Sequence, residues 1–206
     1  MFPVFDKTGR SIEEALRRKG TTDLDAWMQG ELGPTFLATG YISQKQLSDV
    51  MKWKLKTGKW RPNLQKFVDA LKDSEVKAAS ALSLKSLKSG DLKAALKELC
   101  VLKGVGPATA TAVLSAAVPS RCAFMSDEAL LAVLKSKNYT VVEALELARK
   151  CSDHAKLLGA GWTANSVQRA VWASQIVGEW EGEGGEARAP PREPKSSNTS
   201  KKRRLA

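Results

Sequence analysis

Apolar residues recur at helical spacing along most of this chain. In "SQKQLSDVMKWKLKTG", Leu47, Val50, Met51 and Leu55 share one face of a helix that Ser43 caps and Gly58 stops. "RPNLQKFVDALK" repeats the pattern with Leu64, Phe67, Val68 and Leu71, after a proline suited to a first helical turn. "DSEVKAASALSLKSL" and "DLKAALKELCVL" come next, with Gly90 as the break and Asp91 as the cap between them, and then "PATATAVLSAAV", ended by Pro119. "SDEALLAVLKS", "VVEALELARKCSDHAKLLG" and "TANSVQRAVWASQIVGEW" each open at or near a Ser, Asp or Thr. Two short helices precede them all: "SIEEALRRKG", with Ser11 as cap and Gly20 as stop, and "TTDLDAWMQGELG", which Gly33 and Pro34 end. No run alternates with a period of two, so the pattern predicts an all-α fold, an orthogonal multi-helix domain.

The pattern also divides the chain. Residues 1–40 hold the short helices, packed on the core; residues 41–180 form the main helical domain; residues 181–206 are Gly, Pro, Ser and charge, with no large apolar residue before Leu205. Such a tail buries too little to offset chain entropy and is expected to be disordered. Its Lys201, Lys202, Arg203 and Arg204 fit a nuclear-import signal or a phosphate-binding tail, against an incidental solubilising one.

One break stands out. In "VLKGVGPATATAVL" two glycines and a proline interrupt helix formers, joining a helix with Leu92, Ala95, Leu96, Leu99 and Leu102 to one with Ala110, Val113, Leu114 and Ala117. Glycine accepts positive φ and close backbone approach, and Pro107 wastes no amide at a helix start. Free amides at a helix N-terminus favour an anion. A plain helical corner would explain the glycines alone; the fixed apolar offsets on both sides, with Ala110 at the close-packing position, favour phosphate contact by Lys103, Gly104, Val105, Gly106, Ala108 and Thr109.

Charge agrees with that partner. The net charge is +11, and between Lys45 and Lys103 thirteen Lys and one Arg face four Asp and two Glu. A phosphate backbone is the partner such a surplus suits best, although a membrane surface or an acidic protein would meet the same arithmetic. The densest part, "KWKLKTGKWRP", sets Lys52, Lys54, Lys56, Lys59 and Arg61 around Trp53 and Trp60. Cations there would track phosphates and an indole could stack on a base; a solvated helix face and core packing of the rings are the plainer alternatives. Trp53 lies off the apolar stripe by about half a turn, which favours its exposure, whereas Trp172 falls in an apolar segment and reads as core.

Other classes fall away. Cys100, Cys122 and Cys151 are scattered and odd in number, as buried thiols in a reducing compartment would be, and they cannot supply a four-cysteine site. His154 is the sole histidine, which disfavours zinc. "MFPVFDKTGRSIEEALRRKG" lacks the apolar core of a signal peptide, and no stretch reaches transmembrane length.

"LKGVGPATATAVL" resembles the helix-hairpin-helix element of the base-excision DNA glycosylase superfamily, specifically over about twenty residues and more loosely from Ile42 to Val177. "WKLKTGKWRP" and "FMSDEAL" are also similar to segments of uncharacterised eukaryotic proteins that carry this hairpin. The superfamily resemblance implies an aspartate beyond the hairpin that stabilises the positive charge on deoxyribose, or activates water, as the base leaves. Asp127, 21 positions after Gly106, occupies that place; Ser126, Asp127 and Glu128 equally read as a capped helix start. Where bifunctional members carry a Schiff-base lysine this chain has Ala108, so strand cleavage by that route is not expected. No iron–sulfur cluster or other cofactor is expected either, a monovalent cation at the hairpin being the one ion left open. The expectation is therefore a nuclear, monomeric protein that binds double-stranded DNA, acting as a monofunctional DNA glycosylase in base excision repair, or else as a non-catalytic DNA-binding module or nuclear scaffold.

Overall fold

The computed structural model describes residues 10–182. Among these residues the chain forms helices joined by loops, with no strand. In order it forms α1 (Arg10–Lys19), α2 (Thr22–Trp27), α3 (Gly33–Thr39), α4 (Gln44–Thr57), α5 (Pro62–Asp69), α6 (Asp73–Lys88), α7 (Leu92–Cys100), α8 (Pro107–Ala117), α9 (Asp127–Ala129), α10 (Val141–Leu158) and α11 (Ala164–Gly182). The tail and its Lys201–Arg204 cluster lie outside the described residues.

Several helix starts are set by side chains that satisfy otherwise orphaned amides. Ser43 accepts from the Gln46 amide and the Gln46 side chain returns the bond, a complete capping box. Asp91 accepts from the Ala94 amide at 2.8 Å, and Thr140 pairs reciprocally with Glu143. Two expectations change. Arg10 is already helical, so Ser11 lies within α1 and is not its cap. Gly33 and Pro34 do not end a helix: α2 runs through a wide π-helical turn, Met28–Leu32, directly into α3, where proline needs no amide partner.

Helix α8 is the centre of the fold. Thr109 to Ser115 are all buried, and α3, α4, α7 and α10 pack around it. A helix apolar on every side belongs in a core. Leu47, Val50 and Met51 of α4, Leu96 and Leu99 of α7 and Leu147 of α10 are fully buried, each stabilising the fold by about 1.5–3 kcal/mol. Close approach of α3 depends on Gly33, where a Cβ would stand 2.0 Å from the Ala116 carbonyl oxygen. A smaller cluster of Ala15, Leu16, Trp172, Ala173 and Ile176 joins α1 to α11.

One ionic group is held inside. Asp25 of α2 accepts two bonds from the Arg169 guanidinium of α11, at 2.7 and 2.8 Å, and a third at 3.1 Å from the Trp53 indole of α4. A forked, charge-assisted pair with both carboxylate oxygens occupied ties three helices together.

Candidate active site

The hairpin forms between α7 and α8. Gly104 has φ of +87°, and a Cβ there would lie 2.8 Å from the Phe67 Cβ of α5, so both backbone and neighbour require glycine. Gly106 differs: it is extended, with φ −104° and ψ −177°, and a Cβ on it would meet nothing within 4 Å. Its bare face is open to an outside group.

The free amides are fewer than the spacing predicts. The Val105 N–H donates to the Leu102 carbonyl at 3.0 Å and the Thr109 N–H to the Gly106 carbonyl at 2.9 Å, so neither is available to a phosphate. The Val105 side chain is core. Lys103, Gly104, Gly106 and Ala108 carry amides with no such bond among the described residues, those of Gly106 and Ala108 flanking the start of α8, and Pro107 has none to satisfy.

Beside the hairpin opens a cleft of about 230 Å³. It is lined by Gly104, Gly106, Pro107, Ala108 and Thr109 of the hairpin, by Lys54, Thr57, Lys59 and Arg61 at the end of α4 and in the loop after it, and by Phe124 to Asp127, Tyr139 and Trp172. Its volume lies below the range of about 300–1,000 Å³ typical of drug-sized ligands.

Asp127 lines this cleft with about a third of its side chain exposed. The Tyr139 hydroxyl donates to Oδ1, and the Lys137 ammonium stands 3.3 Å from Oδ2. Tyr139 holds a left-handed backbone, φ 54°, uncommon for an aromatic residue and of the kind that concentrates at functional sites. Burial, then the bond and charge of Asp127, raise the Tyr139 phenol above its ordinary range, so it remains a donor. The Arg61 guanidinium lies 5.9 Å from the centre of its ring.

The loop that brings Asp127 here is pinned from two sides. The Met125 amide donates to Thr111 Oγ1 of α8 at 3.0 Å. Ser126 Oγ accepts from the Ala129 amide at 3.1 Å, capping α9, and from the Gln168 side chain of α11 at 3.1 Å. The segment "SDEALLAVL" is not a regular helix: α9 is a single turn that widens into a π-helical turn over Leu130–Leu134 and stops at Lys135. Such widened turns often occur at functional sites.

Lys54 is the unusual cation. It is half-buried on the last turn of α4, and burial first, then the Arg61 charge, lower its ammonium to about 8, with Asp127 opposing the shift.

The other expected contacts separate. Lys59 and Arg61 are exposed at the cleft, whereas Lys52 is paired to Asp49 at 2.9 Å and Lys56 is exposed and outside the lining. Lys103 stands over the Phe67 ring at 4.8 Å. Trp53 does not stack on an exposed base: it is buried, its indole bound to Asp25 and its ring 4.8 Å from that of Phe124. Half a turn from one apolar stripe, it faces α2 and α11 instead of solvent. Trp60 is 63 % exposed, away from the cleft lining. Trp172 is core, as its segment predicts, and also part of the cleft wall. Cys122 and Cys151 are buried free thiols, pushed up to about 12 by desolvation; Cys100 is half-buried and also free.

Reading the sequence singled out none of Tyr139, Lys137, Thr111, Gln168 or the Asp25 and Arg169 pair. Only the run from Lys52 to Arg61 pointed toward Lys54, and it did so for charge, not burial. No family model, curated protein or solved structure matches the chain. No described helix is long and apolar enough to cross a membrane.

Proposed function

We propose that this protein binds double-stranded DNA through the Gly104–Thr109 hairpin and acts as a DNA N-glycosylase, with Asp127 as its electrostatic catalyst. The observation that carries this reading is the shared cleft: Asp127 and the open face of Gly106 line one cavity. A phosphate held by the Gly106 and Ala108 amides at the start of α8 gains from the helix dipole. Lys59 and Arg61 add charge to the lining of the same cleft. A nucleotide turned out of the stack would then bring its sugar to the carboxylate. As the base departs, the sugar gains oxocarbenium character, and a fixed negative charge in a partly dry cleft stabilises it without reorganisation. Tyr139 and Lys137 hold that carboxylate in place.

The Lys201–Arg204 cluster fits nuclear import of a protein with this substrate, and a monomer suffices because the described chain contributes the lining of the cleft. A non-catalytic DNA-binding module would use the same hairpin but leaves the cleft without a role. Excision assays on duplexes carrying a panel of damaged or mismatched bases separate the two. Base release is expected from the wild type, with loss of about a hundredfold or more in Asp127→Asn, comparable to loss of one preorganised electrostatic group. Release unchanged by Asp127→Asn overturns the catalytic assignment. Binding without release from any duplex leaves the non-catalytic module.

A further inference from the structure

We propose that the cleft takes an extruded base whose edge carries carbonyl oxygens where adenine and cytosine carry amines, the uracil and hypoxanthine class, and that the Trp172 indole N–H and the Thr109 hydroxyl read it. The inference rests on the glycosylase reading above and names its substrate class. Such bases are the products of deaminating cytosine and adenine, so the reaction that supplies the substrate is a hydrolytic deamination within DNA.

Two side chains of the cleft lining are almost wholly buried and still lack a polar partner. Thr109 is 1 % exposed and Trp172 is 6 % exposed, and among the described residues no hydrogen bond reaches the Thr109 hydroxyl or the Trp172 indole N–H. Neither polar atom is sealed inside the protein, so what little each side chain exposes includes it. A donor withdrawn from bulk water is costly to leave unpaired, and an acceptor on a ligand in the cleft removes that cost. Phe124, Met125 and Pro107 add apolar surface to the same lining.

The rest of the lining fixes the sign of the preference. Its side-chain acceptors are engaged: Ser126 Oγ accepts from the Ala129 amide and the Gln168 side chain, and the Asp127 carboxylate from Tyr139 and Lys137. Thr57 turns its hydroxyl onto the Trp53 and Lys54 carbonyls, at 3.0 and 3.2 Å. The unengaged side-chain groups are those of Lys54, Lys59, Arg61 and Trp172, which donate, and of Thr109, which donates or accepts. Gln168 Oε1 is an acceptor without a partner, but Gln168 lines a separate inner cavity of about 10 Å³, room for one water and not for a base. Uracil and hypoxanthine present a carbonyl oxygen at the ring position where cytosine and adenine present an amine. A carbonyl satisfies a donor. An amine set against the indole N–H leaves both groups unpaired, and buried polar groups left unpaired give a site its largest discrimination.

The test measures release of uracil against cytosine, and of hypoxanthine against adenine, from otherwise identical duplexes with a tetrahydrofuran spacer opposite the base, so that pairing strength drops out. The full chain should release uracil and hypoxanthine at least about tenfold faster than their amino counterparts. Trp172→Phe keeps a ring and removes the N–H, and Thr109→Val keeps the volume and removes the hydroxyl; each should shrink that ratio about fivefold or more. Intrinsic differences in leaving ability are common to every variant and cancel. A readout that needs neither release nor a variant uses ¹⁵N-labelled protein bound to duplexes carrying the 2′-fluoro forms of deoxyuridine and deoxycytidine, whose sugars resist oxocarbenium formation. The Trp172 indole N–H resonance should move downfield with uracil and not with cytosine. Faster release of cytosine or adenine, or a ratio that either substitution leaves unchanged, overturns the inference and leaves the glycosylase reading intact. Absence of release from every duplex overturns the glycosylase reading, and an indole resonance that is the same in both complexes then overturns the inference as well.

Discussion

The two hairpin glycines should respond in opposite ways to the same added methyl group. Gly104→Ala puts a Cβ on a residue at φ +87° and 2.8 Å from the Phe67 Cβ, below any ordinary carbon contact. The left-handed backbone costs about 1–2 kcal/mol, and displacing Phe67 in a packed corner adds about 1 kcal/mol or more. For a domain of this size each kcal/mol lowers Tm by about 2–4 °C, so a fall of about 5–10 °C is expected. Gly106→Ala has neither problem: its φ of −104° suits any residue and its Cβ meets nothing within 4 Å. Stability should hold or rise by about 0.4–1 kcal/mol, because alanine restricts the unfolded chain. DNA affinity should fall, since the methyl occupies the face from which a phosphate approaches the Gly106 and Ala108 amides; loss of one charge-assisted contact, about 1.5–3 kcal/mol, weakens binding about 10- to 100-fold. Thermal unfolding and fluorescence anisotropy on a labelled duplex read the two effects separately. Gly106→Ala binding like wild type would refute phosphate contact at that face. A Gly104→Ala protein as stable as wild type would refute the backbone argument.

Two further substitutions probe the frame around the site. Asp25→Ala strands the Arg169 guanidinium and the Trp53 N–H in the interior and should cost about 3–5 kcal/mol, read as a fall in the denaturation midpoint with little change in its slope. Gly33→Ala drives a Cβ to 2.0 Å from the Ala116 carbonyl oxygen, where backbone must move; a loss of about 3 kcal/mol or more is expected, and a stable variant would show that α3 and α8 are not locked together.

The helices were legible because their signals are local. Ser43, Asp91 and Thr140 cap where the spacing of polar residues puts them, and Gly20, Gly58 and Gly90 mark the ends that follow. Gly33-Pro34 misled for a physical reason: the pair has two meanings, a stop or the opening turn of the next helix, and only the Ala116 carbonyl across the gap decides between them. The Leu130–Leu134 turn was hidden in the same way. Its residues are good helix formers, and the widening is a matter of how α10 and α11 receive them.

For the site, spacing along the chain carried the relation between Gly106 and Asp127, since both belong to one continuous stretch that wraps α8. Charge carried less, because counting cations says nothing about which are already engaged. Lys45 and Lys52 both reach Asp49, at 2.7 and 2.9 Å, and Lys103 lies over Phe67. Lys54 differs from Lys52 and Lys56 by helical phase alone: two residues either way, the lysine side chain is exposed, whereas Lys54 lines the cleft and loses hydration. The loop contacts that aim Asp127 come from Thr111 and Gln168, which are 14 and 42 positions away from their partners Met125 and Ser126 and carry no sequence signature. A motif can thus name the carboxylate, but the chemistry around it depends on pairings across the fold.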